Sequence, residues 1–215
     1  MGSCNIKKPV TGSSACHAGA RKSNPKDVFK HIYGDYVRGR REPNIKSLTS
    51  VEDYVYGAHN PVYTFVAGVK LNRHPHQYRI STVVMQAFIN GFKKALPVLN
   101  ALHDFDSIYC EVQKIAGKIP GVGSLLTYDA ALRYAVNRGI YPDYVYLPSA
   151  NGPLHGAKRY FNRVGKTAVK VMGGKTIPVS KLNVNSRVEK SEFPDFSSYS
   201  CLEIEDILCI YHGIL

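Results

Sequence analysis

Two stretches of helical periodicity frame a six-residue turn, Lys118-Ile119-Pro120-Gly121-Val122-Gly123, and this arrangement limits the fold more than any other part of the chain. Ahead of the turn, Ile108, Val112 and Ile115 recur at helical spacing, with Asp104 or Asp106 as the cap and Gly117 as the stop. Behind it, Ser124 is placed to cap a helix that turns Leu125, Leu126, Tyr128, Ala131, Leu132 and Ala135 inward and closes at Gly139. Residues 104–137 therefore read as two helices joined by a tight hairpin.

The remainder of the chain is mostly helical in pattern. Asn24-Pro25 opens a helix carrying Val28, Phe29, Ile32, Tyr33, Tyr36 and Val37, which ends in Arg38-Gly39-Arg40-Arg41. Ser50 with Asp53 starts a short helix through Tyr54 and Tyr56. From Pro75 to Leu96, Ile80, Val84, Phe88 and Phe92 repeat every four residues; Pro97 ends or kinks this helix, and a short helix covers Val98 to His103. Tyr144 to Leu147 reads as a strand or buried connector, residues 151–156 as a loop, and Ala157 to Arg163 as a short basic helix. Thr167 to Val179 alternates around Gly173-Gly174, the pattern of a small β-hairpin. Ser200 and Glu203 form a capping-box pair ahead of an apolar helical face of Leu202, Ile204, Ile207, Leu208 and Tyr211. The expected fold is mainly α: an arm over 1–24, a single helical core over 25–165 containing the hairpin at 104–137, and a basic β or irregular segment with a C-terminal helix over 166–215.

Composition narrows the class. With 44% apolar and 20% charged residues the chain suits a globular protein, and no run approaches the roughly 18–20 apolar residues that cross a membrane. Met1 to Lys8 lacks the apolar run of a secretory signal, so none is expected. Five cysteines without CxxC spacing argue against a disulfide framework and for a reducing, intracellular setting; Cys110 and Cys209 sit among apolar residues and read as core positions. The net charge of +12 favours a polyanionic partner, nucleic acid first. Nine Lys or Arg against the single acid Glu189 lie between Lys158 and Lys190, which is eight of the twelve net charges. The competing reading is a solvated surface that serves solubility.

Glycines at 121 and 123 let another chain approach the turn without obstruction by Cβ atoms. The amides of Gly121, Val122, Gly123 and Ser124 stand at a helix start, where orphan N–H groups and the helix dipole favour an anion. Lys114 and Lys118 lie next to them, and Lys158, Arg159 and Arg163 add a basic helix. Contacts of this kind carry affinity and little sequence information.

Ile119-Pro120-Gly121-Val122-Gly123, followed by a helix with small residues such as Ala130 and Ala131, resembles the helix-hairpin-helix motif of DNA repair and recombination proteins. The resemblance covers about thirty of the 215 residues. It implies binding of DNA backbone phosphates without base reading, and a monovalent cation on hairpin carbonyls in some members. No other cofactor is expected. Base-excision glycosylases of that superfamily place a catalytic aspartate about twenty residues after the last hairpin glycine, where this chain has Asp143. The lysine that bifunctional members carry just after the hairpin is replaced by Ser124, Leu125 and Leu126. The resemblance thus extends at most to a monofunctional glycosylase in which the Asp143 carboxylate activates water beside a flipped base. Asp143 stands between Pro142 and Tyr144-Val145-Tyr146-Leu147, without the family's surrounding motif. Two further readings stay open: an αα-hairpin that only packs helices, and a protein-interaction module built on it.

Other constellations are weaker. Arg73-His74-Pro75-His76-Gln77-Tyr78-Arg79 offers two histidines for phosphate contact or proton transfer, or a polar helix start. No third ligand accompanies them, and Cys201, Cys209 and His212 match no zinc module, so no metal site is expected. Gly152 to Gly156 and Gly165-Lys166-Thr167 both fail the phosphate-loop pattern. Tyr36, Tyr54, Tyr56, Tyr63 and Tyr78 could stack bases or line the core edge with their hydroxyls in water.

Overall fold

The computed structural model describes residues 41–57, 62–66, 69–73, 77, 79–148, 152–163, 168–170, 176–178, 186–192, 196 and 198–212. The expected arm over 1–24 and the helix expected from Asn24 onward lie outside them, apart from Arg41. The described residues are mainly α-helical, as the sequence predicts. The elements in chain order are α1 (Arg41–Lys46), α2 (Val51–Tyr56), β1 (Val62–Val66), β2 (Val69–Arg73), α3 (Thr82–Asn100), α4 (Phe105–Ala116) and α5 (Ser124–Asn137). There follow β3 (Val145–Leu147), α6 (Gly152–Arg163), β4 (Ala168–Lys170), β5 (Thr176–Pro178), β6 (Ser186–Val188) and α7 (Cys201–Ile210). No helix among the described residues is long and apolar enough to cross a membrane.

Helix α5 is the centre of the molecule. Every residue from Leu126 to Val136 is buried, so the one-faced pattern expected of it is overturned; Leu125, expected inside, is only half-buried. Burying a helix on all sides requires its polar residues to be paired. Asp129 and Arg133, one turn apart, form an ion pair of 3.3 Å. The Arg133 guanidinium also donates to the Tyr54 carbonyl at 3.1 Å and lies under Gly57, where a Cβ would come within 2.6 Å of Arg133 Cζ. Asn137 donates to the carbonyls of Ile45 and Leu48 at 3.1 and 2.8 Å and accepts from the Tyr54 hydroxyl at 2.9 Å, which ties α1 and α2 to the end of α5.

Helix α3 begins at Thr82, later than Pro75, because Ser81 supplies the cap: its hydroxyl accepts from the Val84 amide. Pro97 does not end it. The Leu99 side chain is fully buried, and the Arg138 guanidinium donates to the carbonyls of Leu99 and Asn100 at 2.8 and 2.9 Å. A cation on the last carbonyls is favoured at the negative end of a helix, which offsets the one bond that proline removes.

The two-stranded β3–β6 sheet joins the core to a second layer. Val145, Tyr146 and Leu147 pair antiparallel with Val188, Arg187 and Ser186. Alternation sends Tyr146 and Arg187 to one face, where the Tyr146 ring meets Phe105, Tyr109 and Tyr128 at 4.9–5.9 Å. Val145, Leu147 and Val188, all fully buried, take the other face, and α6 and α7 both pack against β3. Gly152 and Gly156 bring α6 against α7 so closely that a Cβ on Gly152 would stand 2.7 Å from Cys209 Sγ. The segment 152–156, expected as a loop, is therefore the first turn of a helix. The expected boundary at 165 falls between α6 and the α7 it packs on.

The expected β-hairpin around Gly173-Gly174 is present as β4 paired with β5, Ala168 opposite Pro178, and its turn lies outside the described residues. A second pair, β1 with β2, was not expected. Cys110 is exposed, against expectation, because it lies on the side of α4 opposite Ile108, Val112 and Ile115; Cys209 is half-buried.

Candidate nucleic-acid interface

The hairpin is built by a succession of short bonds. The amides of Lys118 and Ile119 donate to the carbonyls of Ile115 and Ala116 at 3.2 and 2.9 Å, which tightens the end of α4. The Val122 amide then donates to the Ile119 carbonyl at 3.2 Å, with Pro120 and Gly121 in the middle and Gly121 at φ +96°. Proline followed by a glycine of positive φ is the requirement of a type II turn. Ile119 and Val122 pack down on the core, while Lys118, Pro120, Gly121 and Gly123 face solvent.

The tip rests on α3. A Cβ on Gly91 would stand 2.7 Å from Ile115 Cγ2, and one on Gly121 would stand 3.2 Å from Val84 Cγ2. The Phe92 and Tyr134 rings meet at 5.5 Å, and Arg138 holds the last carbonyls of α3. Helices α3 and α5 consequently run in the same direction, and both N-termini lie at the hairpin end. Neither has an acidic residue in its first turn. That end of the molecule carries two positive dipole ends without an internal counter-charge in either first turn.

Gly123, not Ser124, is the N-cap of α5, and it makes no side-chain cap bond. Ser124 is the first helical residue. The Gly123 carbonyl accepts from the Thr127 amide and hydroxyl at 3.1 and 2.9 Å. Its backbone, at φ −88° and ψ 167°, is open to any residue, and a Cβ there would meet nothing within 4 Å. Packing among the described residues gives no reason for glycine at 123. At 121, by contrast, both the positive φ and the Val84 side chain demand it.

Lys118 is exposed. Lys114 is exposed too, and its ammonium lies 2.9 Å from Glu111, whose hydrogen bond raises the lysine pKa. Lys158 is half-buried on α6; Arg159 and Arg163 lie on the same helix, their side chains outside the described residues. Arg187, one of the nine cations in the basic segment, is not at the surface. It is 5% exposed, ion-pairs with Asp106, donates to the Tyr146 hydroxyl at 3.0 Å and stacks on Tyr144 at 3.9 Å. Its charge is spent inside the fold.

Asp143 is exposed on the turn before β3, where its carbonyl accepts from Cys201 Sγ at 3.4 Å. It does not line the groove of about 670 Å³ formed by Ser50, Glu52, Tyr54, Lys93, Tyr134 and Arg138 with their neighbours. Gln77 is buried and donates to the Val55 carbonyl at 2.6 Å, while His74 and His76 lie outside the described residues. Tyr54 and Tyr56 are half-buried against the core; the other tyrosines weighed for stacking have no described side chain. The neighbourhood of Val84 and Gly121 had no signal in the sequence, since it depends on how α3 crosses the hairpin. Comparison with protein-family models, with curated proteins and with solved structures finds no match.

Proposed function

We propose that the hairpin end binds the phosphate backbone of nucleic acid, DNA foremost, without reading its sequence. The observation that carries the reading is Gly123: a glycine at a helix cap, in solvent, that neither φ nor packing among the described residues requires. Ser, Thr, Asp and Asn cap with a side-chain oxygen, whereas glycine, also common at this position, supplies none. Glycine brings no side-chain oxygen to the start of α5, so an outside anion can take the place of a cap there. Exposed Lys118 and Lys114, the two dipole ends and the net charge of +12 support the same partner. The reading places the protein in a compartment that holds nucleic acid.

The test is fluorescence anisotropy with a labelled mixed-sequence DNA duplex across a salt series. Tight binding that falls steeply with salt and is indifferent to sequence is expected. Gly123→Asp puts a carboxylate where the phosphate sits, and an affinity loss of tenfold or more is expected from a protein that stays folded. Equal binding by the folded Gly123→Asp variant sinks the proposal. Gly121 is the poorer probe, because its substitution disturbs the turn itself.

A further inference from the structure

Beside the hairpin, one large apolar side chain stands almost wholly in solvent. Val83 is 79% exposed. It is the second residue of α3, and the next residue, Val84, packs on Gly121. One turn further on Ala87 is exposed, and Gly91 abuts Ile115 and Ile119. At 3.6 residues per turn, Val83 and Ala87 flank the Val84–Gly91 edge that touches the hairpin. They continue the apolar surface of α3 from Val84, which packs on Gly121. Nothing in helix formation favours a valine at an exposed position, since its branched side chain loses freedom there.

The surroundings of this surface specify its partner. Lys118 is exposed at the tip, and the first turns of α3 and α5 hold no acid. An anionic polymer with apolar edges between its phosphates matches a face that sets an exposed cation, Lys118, and an acid-free helix start near exposed apolar side chains. Apolar side chains are a common device in minor-groove binding, where they press in at base steps. We infer that the first turn of α3, led by Val83, is the second half of the contact face and lies on the sugar edges of the nucleic acid whose phosphates the hairpin holds. This rests on the hairpin reading proposed above. It adds a contact that carries no charge.

That absence of charge makes the two halves separable. Val83→Ser removes apolar contact area at a solvent-facing position and leaves thermal unfolding unchanged. With the labelled duplex, its Kd rises by about threefold to tenfold, the effect of losing part of a valine's burial. The dependence of log K on log salt keeps the parent's slope. Lys118→Gln, by contrast, flattens that slope by about 0.9, one phosphate contact fewer. If Val83→Ser binds like the parent while Lys118→Gln and Gly123→Asp weaken binding, α3 lies outside the contact face and only the hairpin reading stands. If none of the three changes binding, the hairpin reading fails and takes this one with it. If the parent ignores the duplex and Val83→Ser instead turns an oligomer into a monomer in sedimentation, the apolar surface binds protein and the inference is overturned.

Discussion

The two helices of the hairpin begin in opposite ways. Helix α4 starts under its own acids: the Asp104 carboxylate accepts from the Ser107 amide at 2.8 Å, and Asp106 in the first turn is paired with the buried Arg187. Helix α5 starts at a glycine with no side-chain cap and no acid in its first turn. The same physical need, orphan amides at a positive dipole end, is met by a side-chain cap and an acid at one start and by neither at the other. The capped start faces the second layer, where Arg187 of β6 meets Asp106 and Tyr146 meets Phe105. The start without a side-chain cap is at the tip, beside the exposed Lys118.

The largest effect is expected at the capped start. Asp106→Ala strands the Arg187 guanidinium under Tyr144 and Tyr146. Removing one partner of a fully buried pair costs about 3–5 kcal/mol. The Asp106 side chain is 42% exposed, so solvent screening reduces the expected loss to about 2 kcal/mol. Urea denaturation measures it. A loss under half of that would mean that the capped start is not held by its acid, and the contrast with α5 would weaken. Next in size is Gly121→Ala at the tip. A non-glycine residue at positive φ costs about 1–2 kcal/mol. The Cβ would also press on Val84 at 3.2 Å. A neutral result would remove the distinction between the glycine that the turn requires and the glycine that it does not.

These differences also explain what could be read in advance. Capping boxes are local, and both were legible: Ser50 with Asp53, and Ser200 with Glu203. The hairpin was legible for the same reason, since Pro120, Gly121 and the flanking periodicity lie within thirty residues. The burial of Arg187 among the nine cations of the basic segment has no local signal, because its partners Asp106 and Tyr146 are 81 and 41 residues away. Of the two outcomes that Pro97 allows, an end or a kink, the sequence does not exclude the end, because Arg138, which holds the last carbonyls, belongs to another helix. The start of α6 at Gly152 looked like a loop because its glycines are explained only by α7 lying on them. At the candidate site, the glycines and lysines could be read from the sequence, but the support of the tip by Val84 could not.

The acid at the capped start also predicts a pH dependence. Backbone hydrogen bonding from Ser107 holds the Asp104 carboxyl below its ordinary value of 3.8. A carboxylate with a lowered folded pKa contributes stability above its unfolded pKa and loses it as pH falls through the folded value. Asp104→Ala should therefore cost about 1 kcal/mol at neutral pH, the worth of a cap. The difference from the parent should close in acid, below pH 3.8. Parallel stability curves for the two proteins through that range would show that Asp104 is not the cap that counts.

The smallest stability effect is the most informative about the comparison. Gly123→Ser gives α5 the kind of side-chain cap that α2, α3 and α7 already carry at Ser50, Ser81 and Ser200. The backbone at 123 accepts serine without strain, and the new Cβ meets nothing within 4 Å. The expected change is a gain of a few tenths of a kcal/mol, the difference between glycine and serine at a cap. The serine hydroxyl then competes with a phosphate oxygen for the same amides, so duplex affinity should fall modestly while stability rises. A variant that is more stable and binds less would identify Gly123 as a position where the chain gives up a cap for a ligand. If stability instead drops by 1 kcal/mol or more, the glycine serves the fold, and the two starts of the hairpin differ only in how they are packed.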